Sequence, residues 1–186
     1  MTVWLPVLIP LVTGIATLAL GEGRSKARAA VNLAGAALAS GTVISLVVGA
    51  YRGIVRAGEI PLLPGLPLTM HGDLLGLLFS AVATVLWGVT LVYAIGYMDH
   101  ARDRARFFGF FAWCIAAANG VALAADPLSL FLFYEILSLT TYPLVVHSGT
   151  PEALAAGRKY LFYALGRRAS LLVGGSWLAA IASPAM

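Results

Sequence analysis

Glu135 is the first residue whose type and position suggest chemistry, because it is an acidic side chain in the otherwise uncharged stretch 127–146. Counted from Pro127, it lies roughly 12 Å along a helix at about 1.5 Å per residue, close to the centre of a membrane. An ionised carboxylate is costly there, so Glu135 is expected to be protonated, paired with a cation or beside internal water. A proton relay is the favoured interpretation. The alternative is a neutral glutamate in one interhelical hydrogen bond.

Three residues after Glu135 can support such a relay. Ser138 and Tyr142 follow at positions that share its helix face, so they can hydrogen-bond the carboxyl group or hold water. A hydroxyl bonded to its own backbone is an equally good interpretation of Ser138. Pro143 removes a backbone donor and is expected to kink the helix, either exposing carbonyls to a cavity or only adjusting packing.

Basic residues near the end of the chain form a second anomaly. If a sixth span begins near Tyr160, Arg167 and Arg168 lie roughly 10–13 Å along it, too deep to face lipid. One interpretation is that the span begins later and 158–168 is an amphipathic surface segment. The other is that the pair faces a partner subunit or a water-filled cavity. Lys159 is expected to extend its amine to the membrane surface.

A resident cofactor or metal is not expected in this chain. His71, His100 and His147 fall at the ends of apolar runs, and the first is predicted on the opposite side of the membrane from the other two, which disfavours a haem between facing imidazoles. Cys114 lies in an apolar run and is interpreted as a small hydrophobic residue. No metal-ligand spacing occurs, so the chain itself is expected to carry no redox centre.

The elements that position these residues follow from composition. Of 186 residues, 60% are hydrophobic and 11% are charged, whereas soluble domains are about 45–50% apolar and about 25% charged. A soluble enzyme or a nucleic-acid-binding domain is therefore excluded, although the net charge is +4. We predict an all-α integral membrane protein with a single membrane domain over 1–186. Its six expected spans are 3–20, 29–51, 74–97, 107–125, 127–146 and 160–183.

The breaks between spans predict orientation. Asp126 and Pro127 are a helix N-cap and a first helical residue, so they predict a tight hairpin between spans 4 and 5. Lysine and arginine are concentrated in loops 1–2, 3–4 and 5–6, which the positive-inside rule assigns to the cytoplasm, with both termini outside. The apolar, proline-rich stretch 60–68 lies in outward loop 2–3. It should not form a helix and is expected to pack on the membrane surface or on a partner.

Three stretches resemble a known family. They are 93–98 (YAIGYM), 106–111 (RFFGFF) and 133–144 (FYEILSLTTYPL). They are similar to the antiporter-like membrane subunits, which include the proton-pumping subunits of complex I, Mrp-type sodium/proton antiporter subunits and membrane-bound energy-converting hydrogenase subunits. The stretch 149–161 looks most like the Mrp and hydrogenase branches. The resemblance runs from about 73 to 174 and covers the N-terminal part of the family only.

The resemblance implies a fold and a role. Family members have an N-terminal helical group and two inverted five-helix repeats, so this chain would hold the first group and an incomplete first repeat. Glu135 matches an intramembrane glutamate that pairs with a lysine on a later helix, and that lysine is absent here. The resemblance thus implies a split or partial proton-translocating subunit, with a partner that supplies the later helices and the lysine.

The resemblance also implies a location and leaves rivals. The complex would lie in a prokaryotic inner membrane and be driven by NADH:quinone, hydrogenase or formate-linked chemistry, or act as an Mrp-type antiporter. This chain would be a non-catalytic membrane subunit of it, without cofactors. The alternatives are a structural membrane subunit or anchor without its own proton path, or a helper in a quinone site.

Overall fold

The computed structural model describes residues 2–63, 66–98, 103–164 and 166. It divides the chain into two compact units, Met1–Thr141 and Tyr142–Met186, and each is described by itself. The first unit contains four complete membrane-length helices, a β-hairpin and most of a fifth helix. In the described part of the second unit, the end of the fifth helix is followed by a turn at 146–148 and a helix over 151–164.

Five helices of the described chain are long and apolar enough to cross a membrane, which confirms the all-α membrane fold. Their ends lie within four residues of the predicted spans 1 to 5. The largest difference is at the second helix, which begins in the charged segment before its apolar run. A short 3-10 helix, Thr2–Trp4, leads into the first. The helices are α1 (Leu5–Leu20), α2 (Ser25–Tyr51), α3 (Leu74–Tyr97), α4 (Arg104–Leu123) and α5 (Pro127–Val145).

The helix over 151–164 begins before the predicted start of span 6 at about Tyr160. Thr150 caps it, because its Oγ1 accepts a hydrogen bond from the backbone N–H of Ala153 at 3.2 Å, and Pro151 takes the first helical position. The expected break at 147–159 is therefore wrong from residue 151 onward. Residue 165 and residues 167–183 of the predicted span lie outside the described part of the chain.

Helix α1 lies between α2 and α4, and close contacts are made at glycines. The indole of Trp113 on α4 lies directly over Gly14, where a Cβ atom would come within 2.4 Å of the ring. On the other side of α1, Thr13 packs against Gly35 of α2 in the same way. Backbones can approach this closely in a membrane when one residue is small, and such packing drives helix association there.

A β-hairpin, which was not predicted, closes one end of the bundle. Strand β1 (Ala57–Leu63) pairs antiparallel with β2 (Leu66–His71). The two strands have no other partners in the described chain, so their prolines occupy edge positions where a missing N–H is tolerated. Leu68 and Met70 are buried in a core with residues of α1, α2, α3 and α4. The proline-rich stretch is non-helical as expected, but it packs on the helices of this chain.

Contacts between loops show which ends of the helices lie together. The carboxylate of Glu22, in loop 1–2, accepts hydrogen bonds from the backbone N–H groups of Arg104 and Ala105 at the start of α4. At the other end, Thr69 of the hairpin hydrogen-bonds Asp126 in loop 4–5. Loops 1–2 and 3–4 therefore lie at one end of the bundle, and the hairpin and loop 4–5 lie at the other.

Candidate functional site

Glu135 lies at the middle of α5, the ninth of its 19 residues, and its side chain is half-buried. Two residues earlier, the ring of Phe133 packs against Gly120 of α4, where a Cβ atom would come within 2.2 Å of the ring. Residues two apart are roughly 160° apart around a helix at about 100° per residue. Glu135 is therefore on the side of α5 that faces away from α4. Leu128 and Leu139, which share its helix face, are exposed.

Ser138 is buried, and its hydroxyl donates a hydrogen bond to the backbone carbonyl of Tyr134 at 3.0 Å. This local bond is one of the two roles that the sequence allows for it. Thr140 and Thr141 likewise donate to carbonyls of their own helix, that of Leu137 included. The hydroxyl groups in this part of α5 therefore contribute to solvating their own backbone, which lets polar side chains remain in an apolar helix.

Tyr142 and Pro143 belong to the second unit, at the end of α5. The ring of Tyr142 lies against Gly157 in the helix over 151–164, where a Cβ atom would come within 3.0 Å of it. Helix α5 continues through Pro143 and ends two residues later. Lys159 is exposed on the helix over 151–164. Arg167 and Arg168 lie outside the described residues.

Cys114 on α4 is buried and reduced, as expected for a small apolar side chain. Its Sγ lies 3.5 Å from Oγ1 of Thr140, a contact between α4 and α5. No group of three or more metal-ligating side chains occurs within the described ranges. Among these residues the strongest chemical feature is therefore a carboxyl group in the middle of a membrane helix, which can accept and release a proton.

A buried polar cluster that the sequence analysis missed joins α1, α3 and α4. Asn119 is fully buried, and its Nδ2 donates to the backbone carbonyl of Pro6 at 2.8 Å. Its Oδ1 accepts from the hydroxyl of Ser80, also fully buried, at 2.7 Å. The sequence signal was an asparagine within an apolar run, a residue that needs hydrogen-bond partners in lipid. Its partners are too distant in sequence to be inferred.

A similar contact joins α1 and α2. The Nδ2 of Asn32 donates to Oγ1 of Thr17 at 2.8 Å and to the backbone carbonyl of Arg28 at 2.9 Å. Both Asn32 and Thr17 are fully buried. Neither this cluster nor the one at Asn119 includes an acidic group, so each holds helices together and neither supplies a titratable proton carrier.

Asp126 forms the predicted N-cap of α5. Its Oδ1 accepts from the backbone N–H of Ser129 at 2.8 Å, and its other oxygen accepts from the hydroxyls of Ser129 and Thr69. Burial raises the pKa of this carboxyl group, but the hydrogen bonds from Ser129 and Thr69 outweigh it and lower the pKa from 3.8 to about 2. Asp126 therefore stays ionised, and it ties the hairpin to the start of α5.

Comparisons with known sequences agree with this architecture. Residues 65–108 match the family described as the N-terminus of chain 5 of NADH-ubiquinone oxidoreductase, complex I. A Na(+)/H(+) antiporter protein of Alkalihalophilus pseudofirmus, one of the subunits of that antiporter, is 26% identical over 180 residues, which is 95% of this chain and 36% of that protein. The Na(+)/H(+) antiporter subunit A1 of Staphylococcus aureus is 30% identical over 81 residues, 44% of this chain and 10% of that protein.

Solved structures show the same fold. The Mrp complex from a Dietzia species superposes with a TM-score of 0.81 at 22% identity, covering 96% of this chain and 34% of the matched chain. An archaeal membrane-bound sulfane sulfur reductase gives a TM-score of 0.77 at 19% identity, covering 94% and 36%. The chain thus spans about a third of the length of these relatives. The resemblance to the N-terminal part of the antiporter-like membrane subunits is therefore confirmed, and the chain is a multi-pass membrane protein of that kind.

Proposed function

We propose that this chain is the N-terminal part of a proton-translocating, antiporter-like membrane subunit, and that Glu135 is its proton-relay carboxylate. The subunit works within a multi-subunit complex, either of the Mrp antiporter type or driven by a redox reaction. The observation that carries the proposal is the position of Glu135. It lies at the middle of α5, and it is the one acidic residue within the five described helices of membrane-spanning length. An acidic residue at that depth is by default part of an ion or proton pathway.

The surface of α5 supports a role for further membrane helices. In its most apolar stretch, 17% of the residues are buried, compared with 28–44% in the other four spanning helices. Glu135 lies on the side of α5 away from α4, beside exposed leucines. We propose that helices from a later part of the subunit, or from another chain, cover this side and supply a lysine for Glu135. The proton path would then lie outside the α1–α4 bundle, and this chain would need no cofactor.

The test is the substitution Glu135→Gln in the complete complex, which keeps the size of the side chain and removes its titration. Proton transport is followed in inverted membrane vesicles with a pH-sensitive dye, and assembly by native gel electrophoresis. We expect transport to fall by about tenfold or more, because a positioned proton-transfer group typically contributes at least that much. Glu135→Asp should restore part of the transport. Glu152→Gln, at an exposed carboxylate, is the matched control and should have no effect.

Two results would reject the relay. Normal transport in Glu135→Gln would show that no proton passes through this carboxyl group. Loss of the assembled complex in Glu135→Gln would instead favour the rival function, a structural subunit or anchor in which Glu135 holds an interface. A role in a quinone site predicts a third pattern, in which the variant changes the apparent affinity for quinone while proton transport per turnover stays constant.

We also propose that the chain lies in a prokaryotic inner membrane with loops 1–2, 3–4 and 5–6 in the cytoplasm and both termini outside. Support comes from the basic loops 1–2 and 3–4, which meet at one end of the bundle. In a Cys114→Ala background, Gly23→Cys should resist a membrane-impermeant maleimide in intact cells and react after lysis. Ile60→Cys, in the hairpin, should react in intact cells. The reverse pattern would overturn the orientation.

A further inference from the structure

A basic cavity lies at the bundle end formed by loops 1–2 and 3–4. It has a volume of about 250 Å³ and is lined by the start of α2, the end of α3 and the start of α4. Three of its lining residues are the cations Lys26, Arg28 and Arg104, and Ile95 and Phe108 form an apolar wall. We propose that this cavity binds the phosphate group of an anionic glycerophospholipid.

Arg28 brings a buried positive charge to the cavity. The residue is 2% exposed, and its Nη1 donates to the backbone carbonyl of Gly21 at 2.8 Å. A carbonyl oxygen fixes the orientation of a guanidinium group but does not neutralise its charge, and this group has five N–H donors in a planar fork. A phosphate group offers the charge and the geometry that such a fork binds best.

The nearby carboxylate does not balance the cations. Glu22 lies 4.0 Å from Nε of Arg104 and accepts hydrogen bonds from the backbone N–H groups of Arg104 and Ala105, at 3.1 and 2.7 Å. Its charge is therefore directed at the N-terminal end of α4. No acidic side chain lines the cavity in the described part of the chain, so three cations face this space against one carboxylate beside it.

The apolar wall favours a lipid over a free phosphate ion. Ile95 and Phe108 give the cavity a surface that a hydrated ion would not cover, whereas a glycerol ester and the first carbons of an acyl chain would. The cavity lies at the ends of spanning helices, where lipid head groups are found, and basic pockets between such helices bind anionic head groups. Its volume is sufficient for a phosphate and glycerol group, with the acyl chains outside it.

The test uses the full chain purified in a neutral detergent. Thermal unfolding is measured while phosphatidylglycerol, phosphatidylcholine or inorganic phosphate is added. We expect a saturable rise in the unfolding temperature with phosphatidylglycerol and none with the other two. Lys26→Gln and Arg104→Gln should each weaken the apparent affinity by about fivefold, the size expected for one cation at an anionic lipid surface. Lys26→Arg should retain it. Arg24→Gln is the matched control, because Arg24 is exposed in the same loop and does not line the cavity.

Each other result would overturn the proposal. If Arg24→Gln weakens the effect as much as Lys26→Gln, the lipid responds to diffuse surface charge. If inorganic phosphate stabilises the protein as well as the lipid does, the site is for a soluble anion. If Lys26→Gln, an exposed and therefore tolerated substitution, leaves the affinity unchanged, the cavity does not bind the lipid.

Discussion

Asn119 supplies a hydrogen bond that helix α1 cannot make for itself. In a helix, the carbonyl of Pro6 would accept from the backbone N–H of residue 10, but that residue is proline and has none. The side-chain Nδ2 of Asn119 donates to this carbonyl at 2.8 Å, and its Oδ1 accepts from Ser80 at 2.7 Å. We predict that Asn119→Leu, which removes both bonds at similar volume, destabilises the bundle.

The magnitude follows from the two bonds lost. Interhelical hydrogen bonds in membrane proteins contribute on average about 0.6 and at most about 1.7 kcal/mol each, so Asn119→Leu should cost about 1–3 kcal/mol. Pro10→Ala returns a backbone N–H to the carbonyl of Pro6. In that background, Asn119→Leu should cost less by the value of one bond, about 0.6–1.7 kcal/mol. Ser80→Ala should cost about as much as the other bond.

The wild type, the two single variants at positions 10 and 119 and their combination form a double-mutant cycle, which is measured by reversible unfolding of the purified chain in mixed detergent micelles. Ser45→Ala is the control, because the hydroxyl of Ser45 is exposed and bonds to its own helix. A coupling free energy near zero between positions 10 and 119 would refute the reasoning, since it would mean that Asn119 does not compensate for the proline. A cost of Asn119→Leu below that of Ser45→Ala would refute it as well.

Three further predictions concern stability in detergent. Gly14→Ala should cost about 1–3 kcal/mol, because its Cβ atom would meet the ring of Trp113, whereas Gly41→Ala, with nothing within 4 Å, should be neutral or stabilising in the same thermal melt. Glu22→Ala should cost about 1 kcal/mol by uncapping α4, as read from its urea midpoint, and an unchanged midpoint would contradict this. Because the pKa of Asp126 is lowered to about 2, its contribution is complete above about pH 4 and is lost as the pH falls towards 2. Asp126→Asn should remove that part of the pH dependence of the melting temperature.

The helices were predictable because lipid imposes a simple rule on them. A spanning helix must be long and apolar, so the hydrophobic runs give α1 to α5 to within four residues. The same rule explains the error at 151–159. The helix there begins with a Thr-Pro cap, like the Asp-Pro cap of α5, but it carries Glu152, Arg158 and Lys159, and an apolar criterion excludes such a segment.

The hairpin could not be predicted from local sequence. Prolines disfavour both helix and strand, and the strands of 57–71 become stable only because Leu68 and Met70 are buried against the bundle. Arg28 was counted as a loop charge, although it is buried, because its side chain reaches back to the carbonyl of Gly21. Long-range contacts decide both cases, and no periodicity reports them.

The candidate site was partly predictable. The depth of Glu135 in α5 follows from counting residues after Pro127, and the N-cap at Asp126 that fixes this count is present. The direction of the carboxyl group around α5 required Gly120, because the contact of this glycine with Phe133 defines which side of α5 faces α4. The sequence contains no signal that connects these two positions.

The packing of α1 has a consequence for how the protein is made. Helix α1 packs more extensively against α4 than against α2, its neighbour in sequence. Ribosomes add about 5–20 residues per second, so α1 enters the bilayer several seconds before α4 is synthesised. During that interval the carbonyl of Pro6 lacks the donor that Asn119 later brings. The nascent first hairpin therefore needs shelter from lipid, and the activity of the membrane insertase that holds it should limit the yield of folded protein.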